Sequence, residues 1–96
     1  MDLEHILSSA CRRKIIKALS VNGETNMMKL ILIIRGKYNQ VNVNLQILQK
    51  EEIIIDKHYG RMRKIKLNGE NSNTKLLLEA LEILNKNKST RKIPIL

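Results

Sequence analysis

The stretch that decides the fold of this chain is KYNQVNVNLQILQKEE, residues 37–52. Val41, Leu45 and Leu48 fall in it at i, i+4 and i+7, which places one narrow apolar stripe along a helix. Its other face is rich in amides, with six Asn and Gln in residues 39–49. Amides donate and accept hydrogen bonds, as reading base edges in a major groove requires. The stretch predicts a recognition helix, and the alternative is a polar face without a partner.

The composition indicates a polyanion as the partner. The chain has 96 residues, with 18 Lys and Arg against nine Asp and Glu, for a formal net charge of +9. This length supports one domain with a modest core. Such a charge is typical of proteins that bind nucleic acid or an anionic membrane surface. With two Tyr and no Phe or Trp, the base-stacking platforms of single-strand and RNA binders cannot be built. Double-stranded DNA is therefore expected, ahead of RNA.

Other classes of protein find little support in the sequence. The lone Cys11 excludes an intrachain disulfide and indicates a reducing compartment. The stretch richest in apolar residues, 27–34, is far shorter than the roughly 20 residues of a membrane helix, and the N-terminus does not resemble a secretion signal. Metal-ligand spacing, phosphate loops and activated nucleophiles are missing. We expect a cytoplasmic, nucleoid-associated protein that is not an enzyme, without membrane contact, metal, cofactor or small-molecule ligand.

The first half of the chain reads as helices separated by short stops. Helical spacing predicts a helix over residues 2–20 capped by Asp2, although Ser8 and Ser9 leave open a short helix followed by a second. Asn22-Gly23 is expected to end it.

Residues 27–35 are apolar nearly all round, which fits a buried strand or a buried helix. We favour a helix, because Met, Leu and Lys dominate its first half and Thr25 or Asn26 can cap it. Gly36 is the expected stop, about three residues before the recognition helix.

The second half predicts a hairpin and a last helix. Residues 53–57 are β-branched, and Ile65 and Leu67 alternate with lysines, so two strands should meet at a basic tip of His58, Tyr59 and Gly60. Residues 68–73 read as a loop with a helix cap at residues 71–74. Residues 74–87 carry an apolar arc broader than one small core needs, so this helix either folds back or pairs with a second copy.

This order of elements resembles a winged helix-turn-helix domain, and three stretches resemble the ArsR-type and MarR-type transcriptional regulators. LSSACRRKIIKAL, residues 7–19, is similar to the family's opening, with Arg12 matching its Arg. VNVNLQILQKEEIII, residues 41–55, resembles the recognition-helix signature, and YGRMRKIKLNG, residues 59–69, the second strand of the wing. Cys11 and Glu52 depart from a common Pro and Gly. The paired-cysteine metal motif is absent, so metal sensing is not implied. The Ile- and Lys-rich composition looks archaeal.

The resemblance implies a mainly α fold with a small β-hairpin (α+β). The winged helix-turn-helix domain would span residues 1–70, a dimerisation helix residues 71–87 and a basic tail residues 88–96. The resemblance also implies a homodimeric transcriptional regulator whose recognition helix enters the major groove while the wing reaches the backbone or minor groove. The expected DNA-binding residues are Lys37, Tyr38, Asn39, Gln40, Asn42, Val43, Gln46, Lys50, Lys57, His58, Tyr59, Arg61 and Arg63. The expected dimerisation residues are Leu76, Leu77, Ala80, Leu81, Ile83 and Leu84.

Two other functions fit the same sequence. A winged helix that serves as a protein-interaction module of a transcription or repair assembly would turn its amide-rich helix to a protein. A chromatin protein without sequence preference would use the charge alone.

Overall fold

The chain folds into a helical domain with one β-hairpin, as predicted. The structure is a computed structural model that describes the backbone of residues 2–91 and the side chains of residues 2–84. In this part of the chain the elements are α1 (Leu3–Leu7), α2 (Ala10–Asn22), α3 (Met27–Ile34), α4 (Tyr38–Lys50), β1 (Ile54–Tyr59), β2 (Met62–Leu67) and α5 (Ser72–Arg91).

The predicted single helix over residues 2–20 is wrong, and the alternative of two helices is confirmed. Asp2 caps α1 by accepting from the Glu4 N–H at 3.0 Å. Ser9 then has extended backbone and caps α2, accepting from the Arg12 N–H at 3.2 Å. A serine hydroxyl at this place satisfies an N–H that has no partner in the helix, so the chain can start a new helix there. The predicted stop at Asn22-Gly23 is confirmed, since Gly23 follows the last residue of α2 with φ of 72°.

The helix-turn-helix is formed by α3 and α4. Asn26 caps α3 by accepting from the Lys29 N–H at 2.8 Å, as predicted. The residue that ends α3 is Arg35, in the left-handed region with φ of 55°, and not the expected Gly36. Gly36 is needed for another reason: a Cβ there would lie 2.7 Å from Cγ2 of Val41. The turn therefore needs Gly36 for close packing against α4.

The hairpin is tighter than the sequence suggested. Tyr59 pairs with Met62, which leaves Gly60 and Arg61 as a two-residue turn. Gly60 has φ of 59° at the first turn position, where such hairpins use glycine. His58 and Tyr59, expected in the tip, are the last two residues of β1. Thr25, between α2 and α3, forms a single antiparallel bridge to Ile65 of β2.

One core holds these elements together. Val41, Leu45 and Leu48, the predicted stripe of α4, are fully buried and pack with apolar side chains of α2, α3 and the hairpin. Leu77 of α5 is also fully buried in this core, so α5 belongs to the same packing unit as the winged domain. The helix continues to Arg91, which makes residues 88–91 of the predicted tail helical. Residues 92–96 of that tail lie outside the described residues.

Candidate nucleic-acid interface

The outer face of α4 carries the polar side chains that the sequence placed there. Asn39, Gln40, Gln46 and Lys50 are exposed, and Val43 among them is 54% exposed. Lys37 precedes the helix without capping it through its side chain, so the first N–H groups of α4 remain available to an acceptor such as a phosphate. Tyr38, at 55% exposure, stands at the same end of the helix.

Asn44 departs from this amide surface because it is buried. Its Oδ1 accepts from Nη1 of Arg12 at 2.8 Å, and its Nδ2 donates to the Gln40 carbonyl at 2.8 Å. Arg12 is itself buried and donates from Nε to the Ile6 carbonyl and from Nη2 to the His5 carbonyl, at 3.2 and 2.7 Å. This network fixes α4 to α1 and α2. Sequence reasoning missed it, although Asn44 lies one turn of helix from the buried Val41 and beside the buried Leu45.

Arg63 connects the wing to α4. It was predicted to contact DNA, but its side chain is only 13% exposed and pairs with the buried Asp56 across the hairpin. Nε lies 2.9 Å from Asp56 Oδ1 and Nη2 lies 2.6 Å from Oδ2, while Nη2 also donates to Asn42 Oδ1 at 3.0 Å. The hydrogen bonds to Asp56 raise the pKa of Arg63, so the guanidinium stays charged. Arg63 thus holds β2 against the N-terminal half of α4.

The tip of the wing carries the free cations. Lys57, His58, Tyr59 and Arg61 are exposed, as predicted. The ammonium of Lys64 lies 5.9 Å from the centre of the Tyr59 ring, a cation–π arrangement that leaves both groups at the surface. His58 Nε2 is 3.8 Å from Asp56 Oδ1, so His58 lies beside the Asp56–Arg63 pair.

The expected DNA-binding residues therefore divide into two groups. Those exposed at the surface of α4 and the wing are Lys37, Tyr38, Asn39, Gln40, Val43, Gln46, Lys50, Lys57, His58, Tyr59 and Arg61. The second group is Asn42 and Arg63, which are half-buried and hydrogen-bonded to each other. Their hydrogen bond joins α4 to the wing.

The expected dimerisation residues also divide. Leu76, Ile83 and Leu84 are 48%, 58% and 42% exposed on α5, and Ala80 and Leu81 are half-buried. Leu77 is fully buried in its own chain. The prediction that Leu77 faces a second copy is therefore wrong, because its side chain completes the core under α5.

Cys11 lies half-buried against the core, next to Asn44. Burial raises the pKa of its thiol, while Asn44, Lys14 and Arg12 act in the opposite direction. A protonated, partly shielded thiol is a poor nucleophile, as expected for a small buried hydrophobe. Across the described residues no three His, Cys, Asp or Glu are grouped to hold a metal ion. None of the described helices is long and apolar enough to cross a membrane.

The sequence and the structure were compared with those of known proteins. No protein-family model matches the sequence, and a comparison with curated proteins gives no match. Among solved structures, the chain superposes on a MarR-family transcriptional regulator from Silicibacter pomeroyi with a TM-score of 0.79. The two share 12% identity, over 96% of this chain and 64% of that one. The fold is a winged helix-turn-helix.

Two further structures have the same winged helix-turn-helix. The antimony-specific transcriptional repressor AntR gives a TM-score of 0.76 at 20% identity, covering 94% of this chain and 78% of that one. MepR, a transcription regulator of the Staphylococcus aureus multidrug efflux pump MepA, gives 0.75 at 16% identity, covering 98% and 70%. The predicted mainly α fold with a small β-hairpin and the resemblance to ArsR-type and MarR-type regulators are confirmed; the dimerisation role of the last helix stays a prediction.

Proposed function

We propose that this chain is a transcriptional regulator that binds double-stranded DNA as a homodimer and acts on the nucleoid. The observation that carries the proposal is Arg63, which bonds to Asp56 in the wing and to Asn42 in α4. Because of this link, the amide-rich helix and the cationic hairpin form one body that can grip a duplex at two points. Structures with the same fold are those of transcriptional regulators.

The outer face of α4 reads base edges in the major groove. Asn39, Gln40 and Gln46 each offer an amide that can bond an adenine bidentately, which is worth about 1–3 kcal/mol of discrimination. Val43 lies among them, 54% exposed, where it can contact a thymine methyl group. Asn42 keeps only its Nδ2 free for a base, because its Oδ1 is bonded to Arg63.

The wing and the ends of α4 hold the backbone. Exposed side chains at the wing tip reach phosphates or the adjacent minor groove; they are Lys57, His58, Tyr59 and Arg61. Lys37, Tyr38 and Lys50 flank the recognition helix and bind phosphates, which fix the register without reading sequence. Arg63 is a positioning residue in this arrangement.

The homodimer forms through α5. Leu76, Ile83 and Leu84 leave an apolar face exposed on this helix, beside the half-buried Ala80 and Leu81. Pairing of this face with a second copy buries it and presents two recognition helices to half-sites about 34 Å apart.

Selection of bound duplexes from a random pool tests the proposal, and salt titration of the winner tests its contacts. We expect enrichment of a pseudo-palindrome. The variant Lys57→Ala/Arg61→Ala should lower the slope of log affinity against log salt by about 2 per protomer, near 0.9 for each lost phosphate contact. The matched control Lys14→Ala/Lys17→Ala removes the same charge from α2. An equal effect of both variants, or an affinity indifferent to salt, would contradict the proposed interface.

The net charge of +9 also favours a second candidate, a chromatin protein that coats duplex DNA. Such a protein would draw its affinity from phosphates alone. The same selection would then return duplexes without a common sequence, and Gln40→Ala or Gln46→Ala would leave the binding unchanged.

A further inference from the structure

The outer face of α3 is more apolar than its own chain requires. Lys29 is the single charged residue among the eight of this helix. Met27, Leu30 and Ile34 enter the core, but Met28 and Leu32 are 70% and 71% exposed and Ile33 is 40% exposed. A helix that is apolar all round is ordinarily covered on all sides. Met28 lines a cleft that it shares with Arg61 and Lys64 of the wing, whereas Ile33 lies on the side of α3 that faces α2.

A cleft between α2 and α3 takes in Ile33 of this helix, but not Met28 or Leu32. Its apolar lining residues include Ala18, Ile33 and Val21, and Val21 is 74% exposed. The cleft has a volume of about 410 Å³. A second cleft of about 310 Å³ shares Lys17 and Val21 with the first and continues to Leu78 and Leu81 of α5. The two clefts form a concave track across α3, α2 and α5, which we call the α2 track.

The charges around the α2 track have one sign where it meets α3. Lys14, Lys17 and Arg35 line the first cleft, and no carboxylate does among the described residues. Glu82 stands at the α5 end. A ligand that fits must therefore combine apolar side chains with negative charge, since opposite charges steer and orient a partner across such a rim.

We propose that the α2 track binds an acidic amphipathic helix of another protein, in the way that an apolar groove receives one face of a helix. Residues 92–96 of this chain, KIPIL, are apolar, but they follow Arg91 and begin with Lys92, so their charge opposes the rim. A membrane surface fits less well. The track is concave, and the exposed residues are aliphatic, without the Trp or Tyr that anchor proteins at lipid interfaces.

The α2 track shares no residue with the proposed DNA surface, and only its α5 end, at Leu81, borders the proposed pairing face; the α3 end, at Val21 and Ile33, is therefore open to a helix while DNA is bound. This inference goes beyond the proposed function and stands without it, since a chain that does not bind DNA would keep the same track. The partner's acidic residues would face Lys14, Lys17 and Arg35, and its apolar face would cover Val21 and Ile33.

Fluorescence anisotropy with a designed helical peptide of about 15 residues, with Leu at i, i+3, i+4 and i+7 and Glu between, tests the inference on the full chain. We expect binding below about 100 µM, and at least about tenfold weaker binding when Gln replaces every Glu. Val21→Asp should also weaken peptide binding at least about tenfold while DNA binding persists. The matched variant Val43→Asp should weaken DNA binding and leave the peptide bound.

Each other outcome overturns the inference. Absence of binding at about 100 µM shows that the track does not receive such a helix. Equal binding of the Gln peptide shows that negative charge is not recognised. Equal binding by Val21→Asp removes the α2 track as the site. A change of oligomeric state in Val21→Asp, measured by sedimentation, would assign the track to a second copy of this chain. Flotation of the wild type, but not of Val21→Asp, with phosphatidylglycerol vesicles would assign it to a membrane.

Discussion

At the scale of single residues, the position of α4 depends on a buried cation that has only neutral acceptors. Arg12 donates to the carbonyls of His5 and Ile6 and to Asn44. The two carbonyls belong to the C-terminal end of α1, where a cation is favoured by the helix dipole. An arginine suits this place because its planar fork offers several donors in fixed directions.

Replacement of Arg12 should therefore destabilise the fold. For Arg12→Met we expect the free energy of unfolding to fall by about 3 kcal/mol, since each buried acceptor left without a donor costs about 1–3 kcal/mol. Urea unfolding followed by circular dichroism measures this. Lys14 is exposed on α2, so Lys14→Met should change the free energy of unfolding by less than about 0.5 kcal/mol. Equal stability of the two variants would show that the Arg12 network contributes nothing.

Arg63 and Arg61 differ in the same way within the wing. Arg63→Gln should lower the free energy of unfolding by about 3 kcal/mol, because it leaves the buried Asp56 carboxylate without its partner. The double variant Asp56→Asn/Arg63→Gln should lose less than the sum of the single changes. Arg61→Gln should leave stability within about 0.5 kcal/mol and reduce the salt slope of DNA binding by about 1. Additive single effects in the cycle would contradict the coupling.

At the scale of elements, the apolar periodicity predicted most of the architecture. The stripe Val41, Leu45 and Leu48 gave α4 its buried face, and alternation around Ile65 gave β2 its buried side. The break between α1 and α2 was harder to predict, because apolar spacing continues through it and only the cap at Ser9 marks the start of α2. The different roles of the amides on α4 could not be predicted. Asn44 is buried and bonds to Arg12, while Asn39 is exposed, and because Arg12 lies 32 residues from Asn44 no local pattern indicates the pair.

The sequence predicted that Gly36 ends α3, whereas α3 ends at Arg35 in the left-handed region and Gly36 packs against Val41. Arg35→Gly should raise the free energy of unfolding by up to about 1 kcal/mol. The left-handed conformation costs a non-glycine residue about 1–2 kcal/mol, and the larger conformational entropy that glycine loses on folding offsets part of the gain. Gly36→Ala should destabilise by about 1–3 kcal/mol, because its Cβ would crowd Val41. Thermal unfolding of the two variants tests this. A stabilising Gly36→Ala together with a destabilising Arg35→Gly would contradict the roles given to these two residues.

At the scale of the whole molecule, α5 carries a broad apolar arc of which its own chain covers only a part. Leu77 completes the core, and Leu76, Ile83 and Leu84 leave an apolar face at the surface. Folding back and pairing, which the sequence left as alternatives, are compatible on one helix. The folded-back face is described by the structure, and the pairing is part of the proposed function.

Mutation should separate the core packing of α5 from the proposed pairing. Ile83→Asp should convert the dimer to a folded monomer in sedimentation equilibrium, because its side chain is 58% exposed and does not support the core. Binding to a single half-site should persist, while binding to the full site should weaken at least about 100-fold, since the two half-sites no longer act through an effective concentration. Leu77→Asp should instead unfold the chain, because it buries an unpaired charge. Val21→Asp is the control for a charge placed on another exposed apolar residue, and it should leave the dimer intact. A dimer that survives both Ile83→Asp and Leu76→Asp would move the pairing surface away from α5 while leaving the recognition surface of α4 and the wing as proposed.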